Sequence, residues 1–379
     1  MEPTEIFGKD YEVFSETDPY NPSNTVSGFL CHKSTELYGA LLITAVNGRA
    51  ITPQLVMATP KIHYPFDSRD DGTRNYHFPR AKTIQVYEKL DGTNVLAYFY
   101  VDHNGIKNFT FKTRLRPFIG NSRFGEFLNM WNEIAQPYFP HMRRLMEWAN
   151  CNLSFELYGS RNPHLVIYKE PIAFALLFGV TNEAKIIPPL STLRQSPHRG
   201  DYPDCPLLKT IDKDYVWNYE TTQKELEARL VSLEDGKYAG LEGTVWYLQT
   251  EDNHWIQFKC KPETIETIHF SAGAGGLSRN IVLATTWNSL ENTDAPTVEL
   301  VKKLLTEEFS PETVNAKTDL IASCVEFVVT ESAFRKEVLD CYKAIGKNVL
   351  LEKTAVMRDM GQHFPRNKMG KVYSIIANQ

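Results

Sequence analysis

Glu88-Lys89-Leu90-Asp91-Gly92-Thr93-Asn94-Val95 decides how the rest of this chain is read. A lysine stands near a carboxylate and a glycine, just ahead of the apolar run 95–100, which predicts a strand. A lysine forms a covalent intermediate only when its amine is neutral, and its reference pKa is about 10.4. Lowering that by about 3 units requires about 4 kcal/mol of destabilisation of the ammonium form. The octet therefore predicts positive charge brought in from elsewhere in the chain. Its plain alternative is a surface turn before a strand.

Working outward, residues 1–26 are polar with turn formers around Asp18-Pro19 and read as an irregular lead-in. A hairpin follows: an apolar run over 40–46, the pair Asn47-Gly48, and a second run over 50–58, with Asn-Gly favouring a type I′ turn. Residues 67–80 read as a mobile polar loop. After the octet's strand the chain turns at His103-Asn104-Gly105 and returns through 106–113, a close return that brings Arg114 towards Lys89. Residues 124–150 carry apolar positions at helical spacing, split by Pro137 and Pro140. Strands are predicted over 153–159 continuing through 165–168, over 172–180, and over 240–247 hairpinned onto 255–261. Residues 190–215 read as a loop and 219–233 as a helix.

Beyond about residue 290 the pattern changes to helix starts, at Asp294 with Pro296, Ser310 with Pro311, and Thr330 with Glu331, with stops at Gly346 and Gly361. A Gly/Ser-rich stretch at 271–278 reads as the link. Within 335–371 nine Lys or Arg face four acids, which suits a phosphate-facing surface or an ordinary solvated helical face.

At 379 residues the chain is long enough for two domains, and 42% hydrophobic with 23% charged residues makes it ordinary globular material. No apolar run approaches the roughly 18 residues of a membrane helix. The acidic start, Met1-Glu2-Pro3, predicts no signal peptide. Six scattered cysteines argue against zinc ribbons and a disulfide framework and fit a reducing compartment. A net charge of −5 excludes coating of nucleic acid by bulk charge and leaves a local basic site open.

Several charged residues sit inside predicted strands. Glu156 lies between Phe155 and Leu157, and Glu242 precedes Gly243; each is also read as the solvent face of a strand. Lys259 and Lys261 are two apart, hence on one strand face, where like charges repel unless an anion lies between them.

Taken in order, K-x-D-G-x-N at 89–94, T-R at 113–114, F-E-L-Y-G at 155–159, F-G-V at 178–180, E-G at 242–243 and K-x-K at 259–261 resemble the covalent nucleotidyltransferase superfamily of polynucleotide ligases and mRNA capping enzymes. The octet and Phe258-Lys259-Cys260-Lys261 look most like the RNA ligase 2 family of phage T4, with RNA ligase 1-type proteins the near competitor. Where the latter carry an upstream arginine, this chain has Tyr38. DNA ligases and capping enzymes follow K-x-K with a β-rich OB domain, and no strand pattern follows here.

The resemblance implies an α+β chain: an N-terminal β-rich segment (1–75), an antiparallel-sheet nucleotidyltransferase domain (76–270) and an all-helical C-terminal domain (280–379). It implies an ATP-dependent RNA ligase, monomeric and cytoplasmic or in a host's cytoplasm, joining 3′-OH and 5′-phosphate RNA ends. Lys89 is implied as the residue that carries AMP, with Asp91, Asn94, Glu242, Lys259 and Lys261 catalytic beside it. Glu88, Arg114, Glu156 and Phe178 are implied as nucleotide contacts together with Lys89, Lys259 and Lys261. Asp91, Asn94 and Glu242 are implied as holding Mg2+ or Mn2+. Lys61, His63 and His164 are weighed as further pocket residues against a strand edge and a turn. The rival readings are a non-catalytic RNA end-binding protein, a DNA ligase and a capping guanylyltransferase.

Overall fold

The computed structural model describes residues 2–32, 36–68, 73–121, 126–162, 164–194, 207–211, 219–233, 237–270, 277, 279–290, 293, 295–306 and 309–377. It is a mixture of antiparallel sheets and helices. A short helix α1 (Pro3–Phe7) leads into the sheet β1 (Tyr11–Thr17), β2 (Thr25–Cys31), β3 (Leu41–Val46), β4 (Arg49–Val56), paired in that order. The predicted Asn-Gly hairpin is present: Asn47 and Gly48 hold φ of 55° and 71°, and Val46 pairs with Arg49. The predicted irregular lead-in is instead α1 and β1. β1 is an edge strand with only Phe14 buried, so it carries no apolar run to betray it.

A hairpin of β5 (Phe66–Ser68) and β6 (Arg74–Tyr76) occupies part of the predicted loop at 67–80, of which 69–72 lie outside the described residues. Then come β7 (Ala81–Lys89), β8 (Thr93–Val101), β9 (Lys107–Lys112), α2 (Phe127–Ala135), α3 (Phe139–Ala149), β10 (Asn152–Tyr158), β11 (Ala173–Val180) and β12 (Ile186–Ile187). These are followed by α4 (Pro189–Arg194), β13 (Leu207–Ile211), α5 (Tyr219–Arg229), β14 (Val231–Ser232), β15 (Tyr238–Ala239), β16 (Gly243–Thr250) and β17 (Trp255–Cys260). Two sheets result, with strand orders β12-β11-β10-β8-β9 and β13-β7-β16-β17. The octet is the crossing between them, because β7 ends on Lys89 in one sheet and β8 begins at Thr93 in the other. Residues 165–168 do not continue β10 as predicted; they make only an isolated bridge, Val166 to Tyr238. The loop predicted at 190–215 holds α4 and β13, and its remainder lies outside the described residues.

β8 is buried on both faces, which explains its unbroken apolar sequence. Val95 and Ala97 pack with Leu153, Phe155 and Leu157 beneath α2 and α3, around Trp131. Leu96, Tyr98 and Tyr100 face the other way and pack with Val26, Leu41 and Ile43 of the first sheet. Pro137 lies in a single 3-10 turn between α2 and α3, and Pro140 sits in the first turn of α3, where its missing N–H costs no helical hydrogen bond.

After β17 every assigned element among the described residues is helical: α6 (Glu263–Phe270), α7 (Arg279–Ser289), α8 (Val298–Leu305), α9 (Pro311–Ala316), α10 (Thr318–Ile345), α11 (Lys353–Met360), a single 3-10 turn and α12 (Met369–Ala377). Ser310 caps α9 as predicted, its Oγ accepting from Thr313 N. Gly346 ends α10 in a left-handed conformation. Asp294 and most of the 271–278 link lie outside the described residues, and α8 is capped by Thr297. Thr330 starts nothing: it lies inside the 28-residue α10, where a local capping signal is overridden by continuous packing. No helix among the described residues is long and apolar enough to cross a membrane.

Trp131 is fully buried with its ring centroid 5.2 Å from that of Phe111 and 5.6 Å from that of Phe155. Trp131→Ala is expected to cost about 3–5 kcal/mol by urea unfolding. A loss below about 1 kcal/mol would contradict the packing of α2 on β8 and β10.

Candidate active site

Strand register assembles the site. Lys89 pairs with Gly243 across β7 and β16, which sets Lys89 next to Glu242. Thr244 and Val245 pair with Cys260 and Lys259 across β16 and β17, which brings the K-x-K pair to the same place. In the other sheet Asn94 pairs with Glu156, and Ser154 with Phe178. The close approach requires glycine at two points: a Cβ on Gly243 (φ +158°) would lie 2.3 Å from the Cys260 carbonyl oxygen, and one on Gly92 2.2 Å from that of Leu157.

One cavity of about 360 Å3 is lined by Glu88, Lys89, Asp91, Asn94, Arg114, Glu156, Phe178, Glu242, Lys259 and Lys261. Every residue singled out from the sequence as catalytic, nucleotide-binding or metal-holding therefore lines the same space. At its floor Glu242 accepts from Lys89 Nζ at 2.5 Å and from Lys261 Nζ at 2.6 Å, and the Glu242 side chain is only 4% exposed. Lys259 lies with its ammonium 4.5 Å from the centre of the Tyr64 ring.

The crossing loop is clamped by Glu156 of β10 and by the segment 165–168. Asp91 N donates to the Tyr168 hydroxyl (2.7 Å), Val166 N donates to Asp91 Oδ2 (2.7 Å), and Gly92 N donates to Glu156 Oε1 (3.1 Å). Asn94 commits its amide nitrogen to Ser154 Oγ and the Phe155 carbonyl oxygen. Lys112, fully buried at the end of β9, donates to the carbonyl oxygens of Gly39, Thr113 and Arg114 and so fixes the Arg114 segment against the first sheet. The buried Nε of Arg114 has no hydrogen-bond partner among the described residues, and the Arg114 side chain lines the cavity.

The electrostatics differ from the expectation for Lys89. Burial pushes its ammonium towards neutrality, but the Glu242 carboxylate, with Glu156 and Asp91, outweighs burial and holds the amine above its ordinary value. Lys261 spends its charge on Glu242, so the positive charge expected to depress Lys89 is already neutralised. Glu242 itself is held below the ordinary carboxylate range: burial raises it, and Lys261 and Lys89 more than reverse that. Glu156 is pushed up to about 7, mainly by burial. Asp91 is also raised, by burial and then by Glu242.

The sequence reading undervalued two contributions. Tyr38, Thr59, Lys61 and Tyr64 line the cavity from the N-terminal segment, because residue 63 bridges in parallel to Phe258 on β17. Lys61 and His63 are the signals there, each set against a solvated strand edge; Lys61 lines the cavity, and His63 is not among its lining residues. Thr285, Asn288 and Leu304 of α7 and α8 line it too, and nothing in their sequence marks them. His164 is buried beside Asp91, 4.0 Å between Nδ1 and Oδ1. In the basic C-terminal stretch Lys336, Lys343, Lys347 and Lys371 pair with Asp340, Glu126, Asp359 and Glu331, so much of its surplus serves the fold.

Among the described residues no group of three or more His, Cys, Asp or Glu encloses a metal site. Asp91, Glu242 and Asn94 do share the cavity wall. That donor set fits magnesium, an ion that keeps waters and leans on substrate phosphates, better than an ion needing an all-protein cage.

No protein-family model matches this chain, and no curated protein matches it. Among solved structures it is similar to an archaeal ATP-dependent RNA ligase at 13% identity and a TM-score of 0.44, over 89% of this chain and 77% of that one. It is also similar to a Naegleria gruberi RNA ligase mutant with ATP and Mn, at 11% identity and a TM-score of 0.33, over 68% of this chain and 98% of that one. Likenesses this distant carry no inference about this chain's chemistry, which rests on its own residues.

Glu156 gives a pH test. Its folded pKa of about 7 lies above its ordinary 4.5, so the folded protein retains a proton that the unfolded chain has released between those values. Stability attributable to this group therefore falls as pH rises from 4.5 to 7 and is flat above. Glu156→Gln removes that fall, and its stability relative to wild type should rise by up to about 3 kcal/mol across the window in urea titrations. Parallel stability curves at pH 5, 6 and 7.5 would contradict it.

Proposed function

We propose that this chain is an ATP-dependent RNA ligase that works through AMP carried on Lys89. The observation that carries the reading is the amine of Lys89 held 2.5 Å from Glu242 at the floor of a cavity that Lys259, Lys261 and Arg114 also line. Two lysines on one buried carboxylate leave a net positive site, and a triphosphate is an anion that matches it.

Lys89 must first lose its ammonium proton. The acceptor within reach is Glu242, and closing the cavity with a bound nucleotide excludes water and disfavours the charged pair relative to the neutral one. A divalent ion, when bound, neutralises phosphate charge and adds positive potential that further disfavours the ammonium. The neutral amine then attacks the α-phosphorus; the P–N bond forms as the bond to pyrophosphate breaks, and pyrophosphate leaves with the electron pair. Lys261 and Lys259 stabilise the charge that develops on the α-phosphate. Arg114 holds a ribose or phosphate oxygen, Glu156 accepts from the ribose, and Phe178 and Glu88 border the base and sugar. An oxygen of an RNA 5′-phosphate next attacks the AMP phosphorus, the P–N bond breaks and Lys89 regains its proton. A 3′-hydroxyl finally attacks the activated 5′-phosphate, and AMP leaves. Asp91, Asn94 and Glu242 are the residues that would hold magnesium or manganese. We assign the adenylation unit to 76–270, with 1–75 contributing to its cavity and 280–379 as a helical domain.

Incubation with magnesium and α-labelled ATP or GTP, of protein first shown by mass spectrometry to carry no AMP, checks this. An acid-labile label from ATP alone is expected on the wild type, with the signal from Lys89→Ala at background. Absence of label from either nucleotide would overturn the ligase reading and favour a non-catalytic RNA end-binding protein.

A further inference from the structure

Lys261 stands on a short junction between the end of β17 at Cys260 and the start of α6 at Glu263. A residue there has no strand ladder to fix its direction, yet its ammonium must stay on Glu242. The junction is held from behind. Gln223 of α5 donates its Nε2 to the Lys261 carbonyl oxygen at 3.0 Å and to Glu266 Oε2 of α6 at 2.5 Å. Arg74 of β6 closes the network, with Nη1 donating to Gln223 Oε1 and Nη2 to Glu266 Oε1, both at 2.7 Å. The guanidinium lies 4.6 Å from the centre of the Phe66 ring. Gln223 and Glu266 are each 6% exposed, so a lost partner on either is expensive.

We propose that Arg74, Glu266 and Gln223 form a positioning brace for Lys261, fixing the backbone from which its side chain reaches Glu242; as a catalytic device this rests on the ligase reading. Arg74 and Glu266 form an ion pair, and the hydrogen bond from Gln223 to the Lys261 carbonyl oxygen carries its hold to the junction. The consequence of the brace is the place of the Lys261 ammonium. With the junction held, that ammonium stays 2.6 Å from Glu242 on the wall of the cavity. With the junction loosened, it leaves the position from which it would meet a bound phosphate.

Gln223→Met tests this without changing any charge: it removes the donor to Lys261 and the acceptor for Arg74. Arg74 borders an open hollow of about 770 Å3, where water can replace its lost partner. Arg74→Lys is the second variant, keeping the charge but not the fork between Gln223 and Glu266. The primary readout is acetylation of Lys261 by acetic anhydride at one fixed pH, read by peptide mass spectrometry on protein of confirmed melting temperature. In Gln223→Met, Lys261, whose side chain is 6% exposed against Glu242, should be modified several-fold faster than in wild type because its ammonium no longer stays on that carboxylate. Arg74→Lys should move the same way by less. AMP labelling should slow in both variants.

A folded Gln223→Met protein whose Lys261 is modified at the wild-type rate overturns the brace, as does a gain that tracks the unfolded fraction. Faster modification of Lys261 in the variant, with no AMP uptake by the wild type, would remove the ligase reading and leave the brace standing.

Discussion

The pairing of one buried carboxylate, Glu242, with two ammonium groups, Lys89 and Lys261, is the interaction on which the site depends. A carboxylate this far from water is stable only if its charge is met nearby, and each lysine alone would leave it incompletely matched. Two cations on one anion leave a surplus of positive charge facing the cavity, which is what an incoming polyanion requires. The arrangement stores the nucleophile as an ammonium until something displaces that balance. Resting protection and readiness to bind phosphate thus come from the same three side chains.

That cluster exists because two sheets meet at one crossing. β7 carries Lys89 at its C-terminal end in one sheet, and β16 and β17 bring Glu242 and Lys261 to it by register. Four residues later the chain has entered the other sheet, where Asn94 lies opposite Glu156. Gly92 passes so near the Leu157 carbonyl that a side chain would collide with it. Hydrogen bonds from Asp91 and Gly92 to Tyr168 and Glu156 take up the backbone donors that the crossing leaves out of both ladders.

The first sheet is part of this machinery. Its core is continuous with Tyr98, Phe178 and Tyr247, and the Thr59 and Ser154 hydroxyls meet at 2.8 Å. Lys112 ties its Gly39 turn to Arg114 through three carbonyl oxygens. The other end of the cavity is bounded by α7 and α8, so segments from both ends of the chain wall a site whose named motifs all lie between them.

The sequence by itself determined the features set by neighbours in the chain. The Asn47-Gly48 hairpin, the doubly apolar β8, the amphipathic α2 and α3 and the Ser310 cap follow from local pattern, whereas the grouping of charged motifs around Lys89 was implied only by the family resemblance of the ordered set. Thr330 shows the limit of local pattern, since a good cap sequence lies inside a helix once packing on both sides favours continuation. β1 shows another, because an edge strand with one buried residue has no alternation to read. The state of Lys89 was beyond the sequence altogether. Its controlling partner is 153 residues away, and the sign of its pKa shift depends on Glu242, Glu156 and Asp91 together outweighing burial. Only tertiary structure decided that, because Coulomb interactions depend on separation in space and on burial, and neither is fixed by separation along the chain.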